Sequence, residues 1–420
     1  MNDVISFIRK YQFLGTNYFW KIIQKFSRVF IDFMILYISS FLLDPILFGA
    51  YQFLIILLGF FVILGEFGLS VSVSKYIAEF GIKDKEKIDS IIVSSIITYF
   101  IYCFIVFFIF IISNVFFLNI NTNYLLYLIL LLFLISGTNL FDGIFIGTKK
   151  FKISSLITLI PGIIVLPLSY ILISTFSING ALLIHIFYYS LLIILMIKFS
   201  KIKNFHYDKR FINIILKYSL IIGFAGVGSF LYTYIDALIL EQFGYTIEVG
   251  YYQIVFNIFN LIILPCSLFG QVISPYITQI GTKKEFNRII VYLRKIWIID
   301  IIGILIALGA FLVGPSFFRI FFPKYSNEIL FSIWNIFLIL IPFKIHNAVL
   351  IHGFIYPLGE GKTTMSLVLL GGVFNVILDY PFIILMGFIG VVYSTLIIHL
   401  IVVILTSIIF YIRIKRKFPK

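Results

Sequence analysis

Charge is what this sequence has least of. Asp, Glu, Lys and Arg make up only 12% of its 420 residues, about half the share of an ordinary globular domain. A soluble surface cannot be built from so little. Cysteine is nearly absent too: Cys103 and Cys266 lie far apart inside apolar stretches and say nothing about redox compartment. There is no metal-ligand spacing, and no nucleophile–base pair, phosphate-binding loop or paired catalytic carboxylate, so no catalytic or metal residue is expected. A removable signal peptide is not expected either, because no short apolar core near the N-terminus precedes a small-residue cleavage site. Long polar connections are also missing. The longest outward one, around 314–326, is too short to hold a catalytic domain. That weighs against membrane glycosyltransferases, polymerases and ligases.

What is there suits hydrocarbon. The chain is 61% hydrophobic, with 50 Phe and 26 Tyr, and its mean hydropathy is +1.12. Apolar runs long enough to cross roughly 30 Å of hydrocarbon recur from end to end. Their continuity excludes the alternating short strands of a β-barrel. The chain therefore reads as an all-α polytopic membrane protein. Twelve spans are expected near 18–43, 46–73, 88–113, 123–147, 152–174, 178–199, 212–240, 249–276, 288–313, 327–353, 363–386 and 388–412. Prolines 161, 167, 265, 342 and 381 fall inside them, as kinks that a bundle lining a cavity tolerates.

The formal net charge is +14, from 32 basic against 18 acidic residues. Because the charges gather in a few loops, this points to a membrane surface and not to nucleic acid. Basic residues follow every even-numbered span: Lys83, Lys85 and Lys87, then Lys149, Lys150 and Lys152, and so on to Arg413–Lys420. The alternate turns carry almost none, with Arg319 and Lys324 as exceptions. This alternation predicts a multi-pass protein with both termini cytoplasmic. Residues 1–16 read as an amphipathic interfacial helix or a frayed tail, 201–211 as a cytoplasmic linker, and 413–420 as a basic cytoplasmic tail.

An internal repeat divides the spans. IDFMIL at 31–36 answers IDALIL at 235–240, and GAYQ at 49–52 answers GYYQ at 250–253. EFGIKDKE at 79–86 matches QIGTKKEF at 279–286, GTKKF at 147–151 matches GEGKT at 359–363, and INGALL at 178–183 matches FIGVVY at 388–393. Two six-helix bundles, 17–200 and 212–412, thus follow in the same order and orientation. They imply a pseudo-two-fold axis along the membrane normal, an architecture of transporters.

Several stretches then carry a family resemblance. FLLDPILFGAYQF at 41–53, GEFGLSVSVSKYIAEFG at 65–81, KYSLIIGFAGVGSFLYTYIDALILEQF at 217–243, EVGYYQIVFNI at 248–258 and GFIGVVYSTLI at 387–397 resemble the multidrug/oligosaccharidyl-lipid/polysaccharide (MOP) superfamily. The Wzx-type O-antigen and capsule flippases are the nearest group. Asp44-Pro45 stands where Gly-Pro is usual, and Ile221 where proline is common. The resemblance implies a V-shaped pair of bundles around a central cavity, alternating access, and a polyprenyl-linked oligosaccharide as cargo in the cytoplasmic membrane. Surrounding lipid and other polysaccharide-assembly membrane proteins are the expected partners of a monomer that binds no nucleic acid.

Such a cargo sets a physical problem. Its prenyl tail is at home in lipid, but an uncompensated diphosphate is not. Basic residues at membrane depth are the expected signature, each costing about 2.5–3.5 kcal/mol if unpaired at the centre. Lys344 lies about nine residues from the inner end of the tenth span, roughly 14 Å deep. It either faces a cavity or snorkels to the interface. Arg28 lies in the first span with Asp32 one turn on, as a neutralised structural pair or a substrate contact, and Lys21 and Lys25 extend a basic stripe. Asp32, Asp236, Asp300 and Asp379 are candidates for H⁺ or Na⁺ coupling, or for pairing with the basic residues, and no other cofactor is expected. The repeat mates Asp32 and Asp236 are expected in equivalent places. Tyr232, Tyr234, Asn257, Asn260 and Gln271 are candidate sugar contacts. Against the flippase stands a cation-coupled multidrug antiporter, whose cargo calls for an acidic, aromatic lining.

Overall fold

In hydrocarbon every backbone N–H and C=O must be satisfied by the protein itself, and a long continuous apolar run does so as a helix. A computed structural model describes residues 2–81, 86–200, 202, 206–283 and 285–417, without the side chains of 2–15, 17, 18, 86, 286, 287 and 417. Much of the pattern expected over 1–16, part of the 201–211 linker and residues 418–420 of the tail lie outside that description. Thirteen α-helices run through the described residues: α1 (Asn2–Leu42), α2 (Pro45–Glu66), α3 (Leu69–Phe80), α4 (Glu86–Ser113), α5 (Thr122–Gly147), α6 (Phe151–Ser200), α7 (Lys209–Gln242), α8 (Thr246–Thr282), α9 (Phe286–Arg294), α10 (Ile296–Phe321), α11 (Glu328–Leu350), α12 (Gly361–Met386) and α13 (Phe388–Lys417). Each of the twelve expected spans falls on helix. Single π-helical turns extend α4 through Asn114–Leu118 and α11 through Ile351–Ile355.

Sequence chemistry sets the starts. Pro45 opens α2, where its missing N–H has no partner to lose. The side chains of Asn121 and Asn327 cap α5 and α11 by accepting from the N–H groups of Asn123 and Leu330. Asp208 precedes α7 and binds Arg210 through its backbone N–H and guanidinium. These bonds hold the Asp208 carboxyl below its usual range. Many large apolar side chains are left exposed, among them Phe117, Leu385 and Leu312, as expected of helices solvated by lipid.

Three expected boundaries move, and one of them is the ninth span, read as continuous over 288–313 but interrupted at Lys295 between α9 and α10. The second span, read as continuous over 46–73, breaks at Phe67 (φ 38°) and Gly68 (φ 74°). A Cβ on Gly68 would also come within 2.7 Å of the Ser219 carbonyl oxygen, so conformation and close approach both demand glycine there. The first helix passes residues 16–18 without a break. By contrast, the fifth and sixth spans separate inside α6, as expected, at Ser177 (φ 55°, ψ −129°).

That break is mirrored in the second half. Gly387, 210 positions on, has φ 66° and ψ −154° between α12 and α13. Gly180 packs on the Leu172 carbonyl as Gly390 packs on that of Phe382, and Lys149 and Gly359 share a positive φ. The repeat is therefore written in backbone geometry as well as sequence. Ser177 stands where its mate is glycine, and a β-carbon in that region is strained by about 1–3 kcal/mol. Ser177→Gly is expected to raise the thermal midpoint of purified protein by the equivalent of about 1 kcal/mol, after the larger unfolded-state entropy of glycine. Gly387→Ser should lower it, as thermal unfolding would show.

Two compact units emerge, Met1–Leu47 with Leu54–Val227, and Phe48–Phe53 with Gly228–Lys420. The division falls inside α7 at 227/228, not in the 201–211 linker. The first half of α7 packs in unit 1, where Ser219 bonds Tyr102 at 2.8 Å and the Ile215 carbonyl accepts from Ser72. In unit 1, α6 packs on α1 and α5, and α3 on α5. In unit 2, α11 packs on α8, α10 and α13, and α12 on α13. Phe61 stacks on Phe110 in the first core, and Phe337 meets Tyr252, Phe256 and Phe259 edge-on in the second.

Candidate functional site

Each unit buries a polar cluster at the depth of its apolar spans. In unit 1, α1 presents Gln24 and Arg28 one turn apart, and α5 presents Asn139 and Asp142 at a spacing of three. Arg28 Nη1 donates to Asp142 Oδ2 at 3.3 Å and Nη2 to Asn139 Oδ1 at 3.3 Å. Asn139 Nδ2 donates to Glu66 Oε2 at 2.8 Å, and Ser70 donates to the other Glu66 oxygen. Gln24 Nε2 reaches both Asp142 Oδ1 (2.8 Å) and Ser154 Oγ (2.6 Å). Glu66, Ser70, Ser74, Asn139 and Asp142 open onto a cavity of about 470 Å³. Asn139 thus hands the charge of Arg28 across to Glu66 through one amide.

In unit 2, Asp236 of α7 is fully buried and accepts from three side chains. Tyr252 donates its hydroxyl, Asn375 Nδ2 donates at 2.6 Å and Thr395 Oγ1 at 2.8 Å. Asp379, one turn along α12 from Asn375, belongs to the same cluster and interacts electrostatically with Asp236. One Asp379 oxygen accepts from Ser394 and the other, Oδ2, is buried with no partner. One turn before Asp236 on α7, Tyr232 meets Lys344 of α11. The ammonium sits 4.7 Å from the ring centroid and 3.5 Å from the hydroxyl, and no carboxylate lies within 4.0 Å of it among the described residues. His399 packs against the same ring, tilted by 41° with the centroids 4.3 Å apart, and donates Nε2–H to the Tyr232 carbonyl at 3.0 Å.

Residues 14–281 match the polysaccharide biosynthesis protein family. The chain belongs to this family. No curated protein matches its sequence. Among solved structures, an inward-facing multidrug resistance MATE family transporter of the MOP superfamily aligns with a TM-score of 0.77 at 18% identity, covering 93% of this chain and 96% of that one. The lipid II flippase MurJ, in an inward closed conformation, gives 0.70 at 19% identity, covering 93% and 87%. A MOP superfamily transporter from Pyrococcus furiosus, described as having a binding pocket of reverse polarity, gives 0.66 at 18%, covering 95% and 94%. Identities this low speak for the fold, which is that of the MOP superfamily, as the sequence motifs led one to expect.

Against that fold the expected site residues sort unevenly. Arg28 does not pair with Asp32 one turn away; Asp142 takes its charge, and Asp32 is exposed. Asp32 and Asp236 are therefore not equivalent. With the repeat offset of 210, the positions of Asn375, Asp379 and Thr395 correspond to Val165, Ser169 and His185, so the amide, carboxyl and hydroxyl that surround Asp236 have no counterparts around Asp32. The basic stripe divides too: Lys21 donates to Gln24 at 3.0 Å, whereas Lys25 is exposed. Asp300 leaves the Asp236 cluster and pairs with His346 Nδ1 at 2.7 Å, with Ser407 on the other ring nitrogen. Tyr232 turns to Lys344, and Asn257 donates to the Gln253 carbonyl of its own helix. Tyr234 and Asn260 are exposed and Gln271 is half-buried.

Sequence reasoning that weighed charges first passed over Gln24, Asn139, Asn375, Thr395 and His399. Their signal was available: each lies three or four residues from another polar group on the same apolar helix (Gln24/Arg28, Asn139/Asp142, Asn375/Asp379, Thr395/His399).

Proposed function

We propose that the protein is a flippase that moves a polyprenyl-(di)phosphate-linked oligosaccharide from the inner to the outer leaflet of the cytoplasmic membrane by alternating access. The cargo is a repeat unit for O-antigen, capsule or exopolysaccharide, and the basic loops keep both termini cytoplasmic. Lys344 carries the reading. An ammonium inside an apolar span, held by a tyrosine and no carboxylate, is a positive charge left over for an anionic headgroup. Its position over the Tyr232 ring favours a role inside the protein over snorkelling to the interface.

Arg28 contributes less charge of its own, since Asp142 already neutralises it, but its fork and the Glu66–Asn139 wall supply donors and acceptors to a hydroxylated headgroup. Lys21 and Lys25 add capture at the inner leaflet, and the exposed Tyr234 and Asn260 extend the sugar contacts. Asp236 and Asp379 form the coupling site: two adjacent carboxyls among an amide and hydroxyls suit a shared proton or a bound Na⁺. The same buried acids, on a fold shared with a MATE family transporter, favour the second reading, a cation-coupled multidrug antiporter. A deletion strain decides between them. Lipid-linked oligosaccharide should accumulate on the cytoplasmic side and clear when the wild-type gene is restored. Unchanged lipid-linked sugar together with new sensitivity to organic cations would select the antiporter.

A further inference from the structure

Unit 1 holds a second cavity, of about 420 Å³, which the polar clusters do not use. Its walls are apolar, from Ile96 and Phe100 of α4, Leu140 of α5, and Ile193 and Ile197 of α6. Tyr99 also lines it, but its hydroxyl is spent on the Phe133 carbonyl at 2.7 Å. Gly137 leaves the space open, since a Cβ there would come within 3.2 Å of the Ile193 side chain and the Tyr99 hydroxyl. Phe100 and Ile197 are about half exposed, so the groove opens on the surface. One end differs from the rest. Lys198, exposed in the last turn of α6, lines it, and Lys150 donates to the Phe199 and Ser200 carbonyls at 3.3 and 3.2 Å.

An oil-lined groove with a cationic rim matches a molecule with a hydrocarbon chain and an anionic head. The volume is nearly three times the roughly 150 Å³ that holds a benzene, and so takes most of an acyl chain. We propose that this groove binds an anionic phospholipid of the surrounding membrane, one acyl chain lying along Ile96, Phe100 and Ile197 with its phosphate at Lys198. The site is separate from both polar clusters and does not depend on what the protein transports.

Native mass spectrometry of the full-length protein tests it, after equilibration with equimolar phosphatidylglycerol and phosphatidylcholine of identical chains. Wild type should retain the anionic lipid about fivefold better, the factor that one lysine near a headgroup provides. Lys198→Gln should bring the ratio close to one while keeping total lipid. Ile197→Trp, which fills the groove from an exposed position, should reduce retention of both lipids. Equal retention by wild type, or an unchanged ratio in Lys198→Gln, would overturn the proposal. So would retention of an added prenyl phosphate to the exclusion of phosphatidylglycerol, which would make the groove a seat for the cargo tail.

Discussion

Lys344→Met is expected to reduce export of the lipid-linked glycan by two to three orders of magnitude while leaving the protein inserted, folded and no less stable. The two halves of this expectation come from the same charge. A cation about 4 Å from a phosphate oxygen contributes roughly 4 kcal/mol at an effective dielectric constant of about 20, which is about a thousandfold in rate when that contact forms during crossing. With no cargo bound, the same ammonium costs the fold about 2.5–3.5 kcal/mol at membrane depth, offset in part by roughly 2 kcal/mol from the Tyr232 ring. Methionine keeps the length and removes the charge. Its thermal midpoint should therefore match or exceed wild type, and Lys344→Arg should restore part of the transport. Two measurements decide, a flipping assay in proteoliposomes and a thermal melt. Full transport by Lys344→Met would remove the anionic-cargo reading, and a collapsed melt would reduce Lys344 to a structural residue.

Arg28→Gln makes the contrast plain. Its guanidinium bridges Asp142 and Asn139, so removing it leaves a half-buried carboxylate without its cation, a change that destabilises the fold by itself. Loss of transport at Arg28 would consequently be ambiguous where loss at Lys344 is not.

The reason these two cations differ was only partly legible in the chain. Length and continuity of the apolar runs put the spans on helices, because a continuous apolar run in hydrocarbon satisfies its backbone as a helix and not as the alternating strand of a barrel. The repeat was legible down to single positions, as Ser177 and Gly387 show. What local spacing cannot supply is the partner chosen across the fold. Asp32 lies one turn from Arg28, yet Asp142, 114 residues away, takes the ion pair. Asp32 and Asp236 are repeat mates, yet only Asp236 finds Asn375 and Thr395, 139 and 159 residues on. Helical periodicity fixes which face a residue occupies, but the neighbour opposite belongs to another helix and is set by packing. Phe67–Gly68 failed for a related reason: an apolar run hides a break that the close approach of Ser219 imposes.

Asp379→Asn should abolish the dependence of transport on the driving ion while leaving cargo binding in place. Asp236 has three donors around it and Asp379 has one, with Oδ2 buried and unpartnered. Two neighbouring buried carboxyls with so few donors need one further positive charge between them, supplied by a proton or by Na⁺. Lys344 is a fixed cation beside the same cluster, and it interacts electrostatically with Asp236 without pairing to it. On the flippase reading, an ion held by the acids would leave the lysine free to meet the anionic headgroup, and its loss would let them compete for it. Replacing Asp379 by Asn removes one of the two negative charges and leaves Asp236, which Lys344 alone can balance, so the site no longer needs the coupling ion. Transport in proteoliposomes should then proceed at a low rate, tenfold or more below wild type, that no longer responds to a Na⁺ or proton gradient. Asp236→Asn removes a charge at the same point but also disturbs the acceptor of Tyr252, Asn375 and Thr395, and should lower the thermal midpoint as well, by the roughly 1–3 kcal/mol of a mismatched buried hydrogen bond. A gradient response preserved in both variants would place the coupling ion elsewhere.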